Sequence, residues 1–192
     1  MPNEEFAVVL DYLPRGKSSS YKTEPIAQVL GTEFFSLLEV VPKKELKVLE
    51  TIYIGKEERT DVSLIKRRIP FKELTATSEG ELEKAIEKVV FDKEVRLVEF
   101  FNNARPITIK RHQLELLPGV GKKHVFQLLD ERQKKPFESF LDIEKRVPLM
   151  PTVSKAIVKR ILLELEDPTE KHFLFARPPP KETGFQRFGN RQ

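Results

Sequence analysis

Leu114-Glu-Leu-Leu-Pro-Gly-Val-Gly-Lys-Lys123 is the stretch that decides how the second half of the chain folds. Leu114, Leu116 and Leu117 give one short helical element its apolar grip. Pro118 ends it, because proline has no N–H and a fixed φ. Gly119 and Gly121 stand where the backbone turns sharply and where a ligand can approach without meeting a Cβ. Lys122 and Lys123 then open a second helix, whose first amides have no partner inside the helix. Unpaired N–H groups beside two ammonium groups suit one phosphate. Residues 122–132 continue that helix, with Val125, Phe126, Leu128 and Leu129 expected on its inner face.

A second unit repeats this arrangement further along the chain. Leu117-Pro-Gly-Val-Gly121 and Val147-Pro-Leu-Met-Pro151 hold the same place, the latter between a helix capped by Ser139 and a final helix over 152–166. Residues 108–166 resemble a paired helix-hairpin-helix domain, a family that grips nucleic-acid backbone without reading bases. That resemblance implies a phosphate site at Gly119, Val120, Gly121, Lys122 and Lys123. The second turn departs from the pattern, since Leu149 and Pro151 replace glycines, and Lys155, Lys159 and Arg160 are the candidates to supply charge there.

Charge follows the motif. Residues 1–104 carry 16 Lys and Arg against 19 Asp and Glu, whereas residues 105–192 carry 18 against 11. A local balance of +7 on the half that bears the hairpin is the footprint expected of a phosphate-binding module. The chain has no Cys, so thiolate metal sites, disulfides and cysteine nucleophiles are excluded. The three histidines, His112, His124 and His172, match no metal spacing, and neither a Walker loop nor G-x-G-x-x-G occurs. No apolar run is long enough to be read as a membrane span. The acidic start Met-Pro-Asn-Glu-Glu does not read as a signal peptide, so a cytoplasmic location is expected.

Before the hairpins the pattern is β-prone. Apolar runs at 6–13, 26–30, 33–41, 47–54 and 64–69 are separated by polar turns, with Gly31 read as a bend or bulge. Five short strands predict a small barrel, OB-like in preference, with an SH3-like barrel left open. Tyr12, Tyr21, Phe34 and Phe35 are candidates to stack bases and Lys66, Arg67 and Arg68 to touch phosphate, although strand aromatics mostly serve a core. Ser78 and Glu81 form an S-x-x-E capping box, followed by the stripe Leu82, Ala85, Ile86, Val89 and Val90. A second helix over 93–103 places Val95, Val98 and Phe101 inward, and a short helix to Leu116 is expected to be capped by Thr108. The fold class is therefore α+β, with a barrel and trailing helices in residues 1–104, paired hairpins in 105–170 and a flexible basic tail in 171–192.

The hairpin segment with the following Lys-Pro-Phe-Glu-Ser-Phe (135–140) resembles an archaeal family, domain of unknown function 655, whose members are predicted RNA-binding proteins. This implies a nucleic-acid partner, RNA before DNA, and identifies no reaction. The reading is a non-enzymatic binder with no catalytic residue, metal or cofactor assigned, and the alternative is an adaptor that docks a protein partner on the hairpins. Glycosylases with such a hairpin suggest a third reading, since Lys123 and Asp142 stand at about the spacing of their catalytic pair. It stands behind the others, because His124 occupies the place of a small hydroxyl residue and no helical domain lies upstream to hold a flipped base.

Overall fold

The computed structural model describes residues 4–16, 24–167 and 169–180. Five strands form a curled antiparallel half-barrel in the order β4-β1-β2-β3-β5: β1 (Phe6–Leu13), β2 (Ile26–Gly31), β3 (Leu37–Pro42), β4 (Thr51–Tyr53) and β5 (Val62–Arg68). Register shifts at Val9/Asp11, Glu39/Val40 and Val41/Pro42 mark where extra residues bend the ladders. Alternation along the strands buries both faces. Ala7, Val9, Ala27, Val29, Leu38 and Val40 form one buried cluster with Ile52 and Ile54. Val8, Leu10, Leu30 and Leu37 face the helices.

Two strand expectations shift. Only residues 51–53 of the 47–54 run are strand, and residues 32–36 turn before β3 begins. A buried carboxylate explains the second change. Glu4 is buried and accepts the amides of Glu33 (2.7 Å), Phe34 (3.1 Å) and Ser36 (3.1 Å), which winds that segment into a turn. Gly31 is therefore a point of close approach rather than a bulge, because a Cβ there would lie 2.1 Å from the Glu4 carboxyl carbon.

Helix α1 (Ala76–Asp92) begins before the expected capping box. Thr75 is the N-cap, its hydroxyl accepting the Ser78 amide at 3.1 Å. The sheet fixes that start: the Thr75 hydroxyl donates to Asp11 at 2.7 Å, and its amide donates to the buried Gln28 at 2.9 Å. The stripe from Leu82 to Val90 is buried as its spacing requires. In α2 (Glu94–Asn103), Val98 and Phe101 point inward while Val95 stays exposed and Leu97 takes its place.

Helices α3 (Lys122–Lys134), α4 (Phe140–Arg146) and α5 (Val153–Glu166) follow, and α5 packs against α1. One buried cluster contains Val8 and Leu30 of the sheet, Ile86 and Phe101 of α1 and α2, and Val125, Ile143 and Ile161 of the hairpin helices. That cluster crosses the boundary expected at 104/105, while the second sheet cluster lies wholly before it. The connector 135–140 is tied down on α2: the Asn102 amide pairs with both backbone groups of Phe137, and Glu94 accepts the Phe140 amide at 2.7 Å.

The segment expected to be a flexible tail is anchored as far as Pro178. Its clamp is an ion pair on α5, Arg160 to Glu164 at 2.8 Å, with Glu164 fully buried. Glu164 accepts the amides of Leu174, Phe175 and Ala176, while Arg160 also holds Glu170 and the His172 carbonyl. Beyond it, the Arg177 amide donates to the Phe34 carbonyl at 2.8 Å, its guanidinium covers the Phe34 ring, and Arg68 donates to the Pro178 carbonyl. The remaining tail, 181–192, lies outside the described residues.

Candidate nucleic-acid interface

The first turn follows from its residues. Pro118 presets φ for the turn. Gly119 takes φ +83°, and the Val120 amide closes the turn on the Leu117 carbonyl at 3.0 Å. Gly121 is the N-cap of α3 in extended geometry (φ −93°), and no side chain caps that end. A Cβ at Gly121 would meet nothing within 4 Å, so packing does not require glycine at this position. Lys122 and Lys123 are exposed beside the open amides. The element before the turn differs from expectation. Thr108 belongs to a hairpin of β6 (Pro106–Thr108) and β7 (Arg111–His112), and its hydroxyl accepts the Lys110 amide. His112 caps the short 3-10 turn 113–116 instead, in a reciprocal box with Glu115.

The second turn copies the backbone of the first. Leu149 takes φ +62° where Gly119 takes +83°, and the Met150 amide reaches the Val147 carbonyl at 3.4 Å. The two turns are neighbours, since a Cβ on Gly119 would lie 3.3 Å from Pro151. They differ at the helix start. The Val153 amide at the head of α5 donates to Glu144 at 2.8 Å. A carboxylate of the protein thus already occupies that positive helix end. Lys155 and Lys159 are exposed one turn apart on α5. Arg160 is only 4% exposed and committed to Glu164 and Glu170, which removes it from the candidate contacts.

Several other candidates are also committed elsewhere. Phe35 is in the core, and Phe34 lies under the guanidiniums of Arg96 and Arg177. Tyr21 falls outside the described residues, and Tyr12 packs on the sheet cluster of Val9 and Ile52. Lys66 pairs with Glu24, Arg67 with Glu39 and Glu73, and Arg68 with the returning C-terminal segment. Asp142 accepts from Arg146 and from the Glu138 amide at the start of α4, a helix-end role.

Sequence periodicity misplaced one residue that matters. Phe126, expected inward, is 72% exposed. With Ile109, Lys110, Arg111, His112, Glu115 and Lys122 it borders a cavity of about 370 Å³ between the β6–β7 hairpin and α3. His112 is buried there and its Nδ1 accepts the Leu114 amide, which places the proton on Nε2. Burial lowers the imidazole below its ordinary pKa; Arg132 lowers it further, and Glu115 opposes them. The hairpin that carries Ile109, Lys110 and Arg111 had no signal beyond Pro106, because strands this short give a period no room to register.

Residues 3–177 match the family described as protein of unknown function (DUF655). The uncharacterized protein MJ0038 of Methanocaldococcus jannaschii is 41% identical over 177 residues, covering 91% of this chain and 80% of that protein. The crystal structure of Af1531 from Archaeoglobus fulgidus, of the same family, is similar with a TM-score of 0.81 and 43% identity, covering 91% of this chain and 100% of that one. With the match spanning sheet, helices and both turns, this chain belongs to the DUF655 family.

Proposed function

We propose that this protein is a non-enzymatic nucleic-acid binder, RNA before DNA, that holds phosphate backbone at the head of α3 with little sequence preference. The observation that carries this reading is the uncapped N-terminus at Gly121, with open space where a Cβ would stand and two exposed lysines beside it. We read residues 108–166 as a paired helix-hairpin-helix unit on the matching left-handed positions Gly119 and Leu149. The curled sheet is read as a partly open, OB-like barrel on its strand order. The two turns do not serve equally. The first is left open; the second is closed by Glu144, and its Pro151 has no N–H to donate.

Binding of the full-length protein to labelled single-stranded RNA, single-stranded DNA and duplexes across a salt series tests this. With about three or four phosphates held, log K should fall against log salt with a slope of roughly −2 to −3 on a single strand. Lys122→Ala with Lys123→Ala should cost about 1–3 kcal/mol and flatten the slope by about 1 per lost contact. A salt-independent interaction, or a lysine pair that can be removed without loss, sinks the proposal in favour of protein docking.

A further inference from the structure

We infer that the groove between the β6–β7 hairpin and α3 seats an unpaired nucleobase of a single-stranded nucleic acid, stacked on Phe126. This rests on the phosphate reading above and adds a strand preference to it. The groove has a volume of about 370 Å³. That is the smaller end of the range for ligand clefts, large enough for one base and too small for an extended ligand. Phe126 borders it and is 72% exposed. The ring is a large uncovered aromatic surface, continuous with the half-buried Leu129 and the buried Val125 that line the same groove. Ile109, fully exposed at the tip of the hairpin, lines the same groove.

Charge selects the occupant. Lys110, Arg111 and Lys122 line the groove, are exposed, and make no ion pair among the described residues. An apolar peptide would cover the ring but strand three cations against it. A nucleotide satisfies both, because its base has a π-face for the ring and its phosphate takes the cations. The one carboxylate lining the groove, Glu115, is turned to the His112 amide at 3.0 Å. His112 itself keeps an Nε2–H as a donor for a base edge, its Nδ1 being occupied by Leu114. Lys122 belongs to both the groove and the head of α3, so one nucleotide reaches the two sites together. A duplex cannot do so, since its bases are stacked and paired away from any ring on the protein.

The test uses the full chain with Phe126→Ala, Phe126→Tyr and, as a control, Leu149→Ala, another exposed apolar residue, in the second turn. Affinities are read for single-stranded RNA, single-stranded DNA and duplex RNA at one salt concentration, and the salt slope is read for the single strands. Phe126→Ala should weaken single-strand binding by about 5- to 150-fold, the range of one lost stacking contact. Duplex affinity and the salt slope should stay as in the parent, Phe126→Tyr should restore binding, and Leu149→Ala should change nothing. Equal losses on RNA and DNA mean the groove reads only the base; a loss confined to RNA adds a 2′-hydroxyl contact to the same seat. The inference is overturned if Phe126→Ala leaves single-strand affinity intact or weakens duplex equally while the parent keeps its salt slope. If the parent binds no nucleic acid at all, the phosphate reading falls with it.

Discussion

Gly121→Asp sets the stability of α3 against its function. Gly121 caps the helix in extended geometry with no capping side chain and with free space around its Cα. An Asp fits that space, and its carboxylate can accept the amides left open at the helix head. Asp exceeds Gly as an N-cap by a few tenths of a kcal/mol, and a negative charge at a helix N-terminus adds about 0.3–1 kcal/mol. Together these should raise the Tm by roughly 1–5 °C for a chain of this size. The same carboxylate takes the place assigned to the phosphate. Loss of one charge-assisted hydrogen bond is worth about 1.5–3 kcal/mol, so affinity for single-stranded RNA should fall roughly 10- to 150-fold. Gly121→Asn, a comparable cap without charge, should give much of the thermal gain with a smaller binding loss. Differential scanning fluorimetry and anisotropy titrations on the same samples supply both numbers. A Gly121→Asp protein that melts higher and binds RNA as well as its parent would refute the assignment of the phosphate to this helix end.

Two further outcomes follow from buried charge. Glu164→Gln leaves Arg160 short of its buried partner and weakens the hold on three amides. It should cost about 3–5 kcal/mol and lower the Tm by roughly 6–20 °C. Limited proteolysis should then cut within residues 169–180, and a Tm unchanged from the parent argues against the clamp. His112 has its pKa lowered in the folded state, so the unfolded chain takes up a proton first as pH falls. Stability should therefore be full above about pH 6.5 and decline below it until the folded imidazole also protonates. His112→Asn, which can still cap the 3-10 turn, should lose that component, and parallel melting curves for parent and variant between about pH 7.5 and 5.5 would contradict it.

Much of the fold was legible because local rules and tertiary packing agree. The stripe from Leu82 to Val90, the start of α3 at Lys122, the cap at Ser139 and the repeated turn are all written in spacing. The failures occur where a distant partner overrides a local signal. Ser78 has a respectable capping box, yet Asp11 and Gln28 hold Thr75 and start the helix earlier. Residues 33–36 look like strand, but three of their amides are claimed by Glu4. At the site, the glycines and lysines were readable from the motif, whereas Phe126 was not. Its spacing fits an inner helix face, but the β6–β7 hairpin borders that side of α3 as one wall of a groove and does not cover the ring. Arg160 differs in the opposite sense: beside Lys155 and Lys159 it reads as a surface charge, yet Glu164 draws it inside.

The return of residues 174–178 to the sheet has a consequence for how the protein comes into being. The contact from Arg68 to Pro178 joins positions 110 apart, and the Arg177 amide reaches back further still, to Phe34. At ordinary rates of translation, Pro178 is synthesised roughly 5–20 s after Arg68. Throughout that interval the apolar stripe of α1 awaits α5, and the turn at Phe34 lacks the Arg177 amide and guanidinium that cover it. Closure of long loops is slow compared with local helix formation, so the last contacts made are those that seal the first elements translated. A ribosome that stalls before Glu164 therefore releases a chain whose α1 stripe is only partly covered and whose C-terminal clamp cannot form, which makes this stretch of the message the one where interrupted synthesis most readily becomes aggregation.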